Sequence, residues 1–450
     1  MLRRALIASL SLLATSQMGC VARAWSVAPA ALVSEQQVSA ALGEPPGDNA
    51  PFDAASLMKV GPPRRVRPCC AFGMDLGITV ADVSVPGYSV ENIISLKDLG
   101  RHEYDNGAVT VNQNLARLAT LEKNGLVYTC RGGFVDTAHV RDNADLTMFL
   151  ALRIVAALPK AQVISLAPGD GAVRRIVLKP VPEELVERAG RWEVAISLAQ
   201  WAAFQISIWH EIVTWYGVES VPGFSEKVSA FSPEDLYSNV LGARIAGGVL
   251  RARQVFGRAE WNSMVEAWIP ATLKHLGALP TDQGRRAMKA LDGRWWDSRK
   301  QLPDWTLVKR RKMEIDRRVT PWRLPDAQAP KDEVLDAACS ATPTALPLDI
   351  PDRIEDHPIS ELVAVDFEVS DWAPPNMPFA DKSSRRLTSA EFPLIVAMIH
   401  DAAHEALGPG FDQPGPLPAA PAPSPAAPAT SPAAPAPSPA PSAAAPATAP

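Results

Sequence analysis

The stretch Leu198-Ala-Gln-Trp-Ala-Ala-Phe-Gln-Ile-Ser-Ile-Trp-His-Glu-Ile-Val-Thr-Trp-Tyr-Gly217 decides how the chain reads. It is apolar on nearly every face of a helix. A helix of that kind is buried in a core or spans a membrane. Gln200, Gln205, His210 and Glu211 interrupt the run, so the core reading holds. The helix extends back to about Pro182 and stops at Gly217. A body that buries such a helix needs other elements around it, and both flanks supply them. Leu126–Cys130 reads as a strand, followed by a helix over about 134–157 that Pro159 ends. Residues 162–179 read as a hairpin with Gly169-Asp170-Gly171 at its turn. Ser232-Pro233-Glu234-Asp235 opens a further helix, with Ser as cap, Pro at the first position and acids in the first turn. More helices follow to about Leu291. The fold class is α+β, helix-rich, with a small antiparallel sheet.

The chain has 450 residues and a formal net charge of −5, so nothing marks it as a nucleic-acid binder. Five Cys are too few for a disulfide scaffold. Ten of the twelve Trp lie between Trp192 and Trp322, and Trp is usually core. Residues 61–325 are therefore expected as one body, with 326–408 appended. Residues 25–60, rich in Ala, Pro and Ser, read as a flexible segment. Of 43 Pro, 14 fall in the last 40 residues, so 409–450 reads as a disordered, semi-stiff spacer.

Residues 1–24 read as an export signal: Arg3-Arg4, an apolar run from Ala5 to Ala14, then small residues. Two processing sites stay open. Ala22-Arg23-Ala24 gives a start at Trp25, and Gly19-Cys20 resembles a lipoprotein box that would put a lipid on Cys20. The expected location is the periplasm or cell envelope, with membrane contact only through that lipid and a cell-envelope component as the partner.

The chemistry concentrates in two helices. His210-Glu211 has the His-Glu start of a zinc-hydrolase helix, but the second His of that motif is replaced by Thr214, so that signature fails. Asp136 and His139 stand three apart and can share a metal, and Asp142 lies one turn further on. Glu226 is an acid that capping does not explain, whereas Glu234 and Asp235 are where a helix start puts acids anyway. The candidate ligands are thus His139, His210, Asp136, Asp142 and Glu226, with Glu211 as general base; the identity of the ion stays open, with zinc as one candidate. Cys130 sits at a strand end, and export makes a disulfide from it to Cys69 or Cys70 the plain expectation, ahead of a thiol nucleophile. Lys309-Arg310-Arg311-Lys312 reads as a charged helix face, and His400, Asp401 and His404 as a solvated one. No phosphate loop, dinucleotide fingerprint or Gly-x-Ser-x-Gly elbow is present.

The blocks Arg67-Pro-Cys-Cys-Ala-Phe-Gly73, Tyr128-Thr-Cys-Arg-Gly-Gly-Phe134 with Asp136 and His139, Trp209-His-Glu211 through Tyr216-Gly217, and Phe231-Ser-Pro-Glu-Asp-Leu-Tyr-Ser-Asn239 resemble an uncharacterised bacterial family of exported proteins with a domain of unknown function. The resemblance covers roughly residues 60–325. It implies an envelope location and carries no activity. Two functions follow as expectations: a metal-dependent envelope hydrolase, or a non-catalytic structural or binding protein whose polar cluster is a hydrogen-bond network.

Overall fold

The computed structural model describes residues 33–43 and 58–413, apart from 65, 68–69, 81–82, 107–121, 219–224, 253–256, 325–331, 343, 371–372, 374–376 and 378–384. The export signal, Cys20, Cys69 and the Pro-rich segment from 414 onward lie outside the described residues.

The helices are α1 (Glu35–Leu42), α2 (Thr137–Ala157), α3 (Glu183–Ala189), α4 (Arg191–Trp215), α5 (Asp235–Ala252), α6 (Arg258–His275), α7 (Thr281–Ala290), α8 (Glu333–Cys339), α9 (Ile359–Leu362) and α10 (Phe392–Leu407). The strands are β1 (Leu76–Val80), β2 (Val83–Val90), β3 (Leu126–Thr129), β4 (Gly133–Asp136), β5 (Gln162–Ser165), β6 (Ala172–Leu178), β7 (Arg318–Val319), β8 (Leu348–Asp349), β9 (Arg353–Ile354), β10 (His357–Pro358), β11 (Val363–Val369) and β12 (Arg386–Thr388). The class is α+β and helix-rich, and every named strand pair is antiparallel. None of the described helices is long and apolar enough to cross a membrane.

Helix α4 is apolar all round because it is covered on two sides. One side packs on α2 and α5. The other meets the largest sheet, of order β12-β11-β6-β5. There Trp209 stacks on Phe367 of β11 at 4.6 Å and lies 6.4 Å from the Phe392 ring of α10. Strands β6 and β11 alternate buried and half-exposed residues, as a sheet covered on one face requires. The helix starts later than expected. Gly190, at φ 85°, breaks the run from Pro182 into α3 and α4, a conformation that favours glycine. Helices α2 and α5 cross closely at Gly242, where an added Cβ would stand 2.2 Å from the Val140 carbonyl oxygen.

Three expectations are corrected. Residues 35–42, expected as flexible, form α1, because Ser34 and Gln37 make a capping box and Val38, Ala41 and Leu42 bury. The Arg244 guanidinium of α5 donates to its Ala41 carbonyl at 2.9 Å. Residues 326–408 are not an appendage: β11 lies inside the sheet between β12 and β6, and α10 covers Trp209. Cys130 bonds to Cys339 at the end of α8, not to Cys69 or Cys70, and the Cys70 thiol is free. The backbone N–H of Cys70 is committed instead to Asp136, at 3.0 Å.

Candidate metal centre

The centre is built from the starts of two helices and the last turns of a third. Asp136 ends β4 and caps α2, its carboxylate accepting from the Ala138 N–H at 2.7 Å. One turn on, His139 points inward, 7% exposed. Its Nδ1 lies 2.9 Å from Asn239 Oδ1 on α5. A carbonyl oxygen only accepts, so Nδ1 is the donor of this bond and Nε2 is the nitrogen that faces the acids. Asn239 Oδ1 also accepts from Asn143 Nδ2 at 2.6 Å, and Asn143 Oδ1 accepts from the Ser207 hydroxyl at 2.6 Å. The imidazole is thus oriented by two amides and a hydroxyl in a chain running from α5 through α2 to α4.

Nε2 of His139 lies 3.4 Å from Asp235 Oδ1. His139, Glu211 and Asp235 each bring one ligand atom to a common point, all within 4.8 Å of one another and all buried. Glu211 sits on α4, where its Oε2 accepts from the Phe231 N–H at 2.7 Å. Its Oε1 finds no hydrogen-bond partner among the described residues, and neither do the two carboxylate oxygens of Glu234 nor Asn239 Nδ2. The loop before α5 is bent tightly to place these acids. Phe231 has φ 53°, uncommon for a bulky residue, and the Ser232 N–H donates to Asp235 Oδ2 at 2.6 Å.

The electrostatics follow from burial. Glu234 is pushed well above the usual carboxylate range by burial and by Asp136 and Glu211, and Asp235 by burial and by Glu211, Glu234 and Asp136. Arg311 is the buried cation nearby. Burial lowers its guanidinium to about 10, while Asp235, Glu234 and Glu211 hold it up. It stays charged at neutral pH. It belongs to an extended segment whose Arg311 and Lys312 are fully buried, so the charged helix face expected at 309–312 does not exist.

A second pair faces the same space. The His210 and His139 rings are 6.1 Å apart between centroids. His210 Nδ1 lies 3.3 Å from Asp170 Oδ1, and Arg174 donates to Asp170 Oδ2 at 2.8 Å. Burial works against charge on His210, but Asp170, Glu211 and Glu226 outweigh it and raise it to about 10. Burial likewise opposes ionisation of Asp170, and His210 and Arg174 bring it down to about 2. His139, Asp142, Asp170, Ser207, His210 and Asn239 are among the residues lining a cavity of about 70 Å³, room for a few waters or a small reacting group.

The structure therefore brings His139 and Glu211 together and sets His210 beside them, paired with Asp170. Asp136 lies at the start of the same helix as His139. Asp142 turns away to Arg67, accepting from its backbone N–H at 2.9 Å and its guanidinium at 2.6 Å. Glu226 opens a short 3₁₀ turn, Glu226–Val228. Asp235 is the acid that sequence reasoning explained away as a helix-start residue. Its Oδ2 does serve the turn, while Oδ1 faces His139. Asp170 had been read only as a hairpin turn.

No curated protein and no solved structure matches the chain. A family model described as a protein of unknown function, DUF4056, matches residues 57–325. That span is more than half of the chain and holds every residue of the centre, and the chain belongs to this family.

Proposed function

We propose that the protein is a metal-dependent hydrolase whose ion is held by His139, Glu211 and Asp235. One observation carries this reading: three buried donor atoms lie within 4.8 Å of one another, with the His139 tautomer set by Asn239. The alternative, a self-contained hydrogen-bond network, is disfavoured by the chemistry of the same residues. Such a network satisfies its members, yet Glu211 Oε1 and both Glu234 oxygens are buried without partners among the described residues. Buried carboxylates at this density cost several kcal/mol each unless a cation offsets them.

A divalent ion supplies Lewis acidity, polarising a substrate oxygen and lowering the pKa of water. The remaining chemistry belongs to the chain. Glu211, expected as the base, serves instead as a ligand because one of its carboxylate oxygens lies with His139 and Asp235. Asn239 orients His139, and Phe231 orients Glu211 through its N–H. The His210–Asp170 pair, across the cavity from His139, holds a proton next to the reacting group. Borderline nitrogen and hard oxygen donors suit zinc or manganese.

Export to the cell envelope belongs to the same proposal. Its support is the basic, apolar, small-residue order of residues 1–24 and the Cys130–Cys339 disulfide, which suits an oxidising compartment. The test is elemental analysis of the purified full chain, with assays on chromogenic esters, phosphate esters and peptides before and after chelation. Bound metal that is lost in His139→Ala, together with chelator-sensitive hydrolysis, is the expected result. A metal-free protein that takes up no added zinc or manganese would overturn it.

A further inference from the structure

We propose that the cavity beside His139 is an oxyanion pocket, which takes the carboxylate or phosphate of an anionic substrate on Arg174, Asn239 and Arg64. Its place in the reaction rests on the His139 centre proposed above. The cavity measures about 70 Å³, and these three residues line it together with His139. A group bound there therefore lies next to the histidine of the ion site.

The hydrogen bonds of the wall decide what such a group must offer. Asp142, Asp145 and Asp170 line the cavity, and each of their carboxylate oxygens is already engaged. Asp142 accepts from the Arg67 N–H and guanidinium, and Asp145 meets His102, Trp261 and Arg67. Asp170 is held between His210 and Arg174. The Ser207 hydroxyl is committed to Asn143 Oδ1 at 2.6 Å. Donors are what remain. Asn239, 1% exposed, turns its oxygen to His139 and Asn143, which fixes the orientation of the amide. Its Nδ2 is then left buried with no partner among the described residues. Arg174, 6% exposed, has the same surplus at Nε. Buried donors are costly to leave unpaired, so the missing component is an acceptor.

Arg174 is set in place before any ligand arrives. Its Nη1 donates to Asp170 Oδ2 at 2.8 Å and its Nη2 to the Ala167 carbonyl at 3.2 Å. The guanidinium lies against the hairpin turn at Gly169, where an added Cβ would stand 2.6 Å from Nη2. The Asp170 carbonyl accepts from Trp209 Nε1 at 2.9 Å, which ties this turn to α4. A guanidinium keeps its charge at any physiological pH, and a charged donor favours an anion over a neutral carbonyl. Arg64 brings a second such charge to the exposed rim. Its backbone N–H donates to Asp105 Oδ1 at 2.7 Å, while its side chain has no ion pair or hydrogen bond among the described residues.

The test is calorimetric titration of the full chain with inorganic phosphate and, separately, with acetate, on zinc-loaded and on chelator-stripped protein. The expected result is one anion per chain in both forms, because the donors belong to the chain. Arg64→Gln and Arg174→Gln should each weaken that binding about tenfold or more, as loss of a charge-assisted hydrogen bond implies. Thermal melts identify a variant that has failed to fold, and Arg64, being exposed, is the safer of the two. The tighter anion names the substrate group, a phosphate ester or a carboxylate. Binding that needs zinc, or that the folded variants retain at full strength, makes the metal or another surface the binder and overturns the pocket. Failure of both anions to bind also overturns it, and leaves the metal centre standing if the chain carries zinc. Anion binding by a chain that takes up no zinc supports the pocket and overturns the hydrolase.

Discussion

Asn239 shows how much a single amide can decide. Its oxygen accepts from the His139 ring and from Asn143, and this fixes which imidazole nitrogen is left to bind an ion. Partners of this kind typically tune metal affinity by 10–100-fold. Asn239→Ala should therefore weaken Zn²⁺ binding at least tenfold in a calorimetric titration while leaving the far-ultraviolet circular dichroism unchanged. Unchanged affinity would mean that the imidazole is oriented by packing alone. At this scale the sequence was only half legible. His139 and Glu211 stood out because each interrupts an apolar helix and must find a partner. Asp235 did not, because an acid at a helix start already has a sufficient explanation in the dipole. Arg311 was hidden inside a run of like charges that usually marks a solvated surface. Only tertiary packing distinguishes that surface from a buried cation bonded to the carbonyls of Val228 and Trp305.

Among the elements, the crossing of α2 and α5 matters most, because it sets His139 against Asp235 and Asn239. Gly242 makes the close approach possible. In Gly242→Ala the new methyl would meet the Val140 carbonyl and the helices must part. A cost of about 1–3 kcal/mol is expected from overpacking, read as a lower urea midpoint. The same change should reduce metal affinity, since both helices carry ligands. The disulfide is the second test at this scale. Cys339→Ser should cost about 2–5 kcal/mol, the usual range for a native bridge, seen as a lower melting temperature. An unaltered melt would show that packing of α8 suffices. Most of the elements were readable from periodicity and punctuation. The hairpin of β5 and β6 turns at Gly169–Gly171 as its residues dictate, and α4 announced its burial by lacking a polar face. The break at Gly190 and the capping box of α1 were present in the letters, but short elements rarely show enough periodicity to be separated from loop.

Across the whole molecule, a second buried charge network sits behind the centre and gives the fold a pH dependence. Asp145, 1% exposed, lies 2.9 Å from His102 Nε2 and accepts from Trp261 Nε1 at 2.8 Å and Arg67 at 3.2 Å. Burial opposes its ionisation, yet His102, Arg67 and Trp261 bring it from 3.8 to about 2. Its stabilisation is complete above the unfolded value and is lost as pH falls through about 2, an effect of about 2 kcal/mol. His102 is lowered by burial, with Arg67 and Arg141 adding to it against Asp145. It therefore stabilises above 6.5 and loses that as acid protonates it. Asp142 works in the other sense, since burial lifts it to about 6. The part specific to Asp145 is thus read below pH 4. Asp145→Asn should lower stability by about 3 kcal/mol at pH 7 and flatten the urea-midpoint curve between pH 4 and 2. Parallel curves for the two proteins would contradict the assignment.

The position of β11 has a consequence for where this protein can be divided. The recognisable family stretch ends at residue 325, but the strand that pairs with β6 comes from 363–369. The stretch the family model matches is therefore smaller than the part of this chain that packs as one sheet and core. A chain cut at 325 would keep every proposed ligand and still leave the β6 edge unpaired, with Trp209 stripped of Phe367 and Phe392. An open strand edge beside a bare aromatic face is a template for self-association. Such a fragment should sediment as aggregates, and adding back 326–413 as a separate peptide should return it to solution.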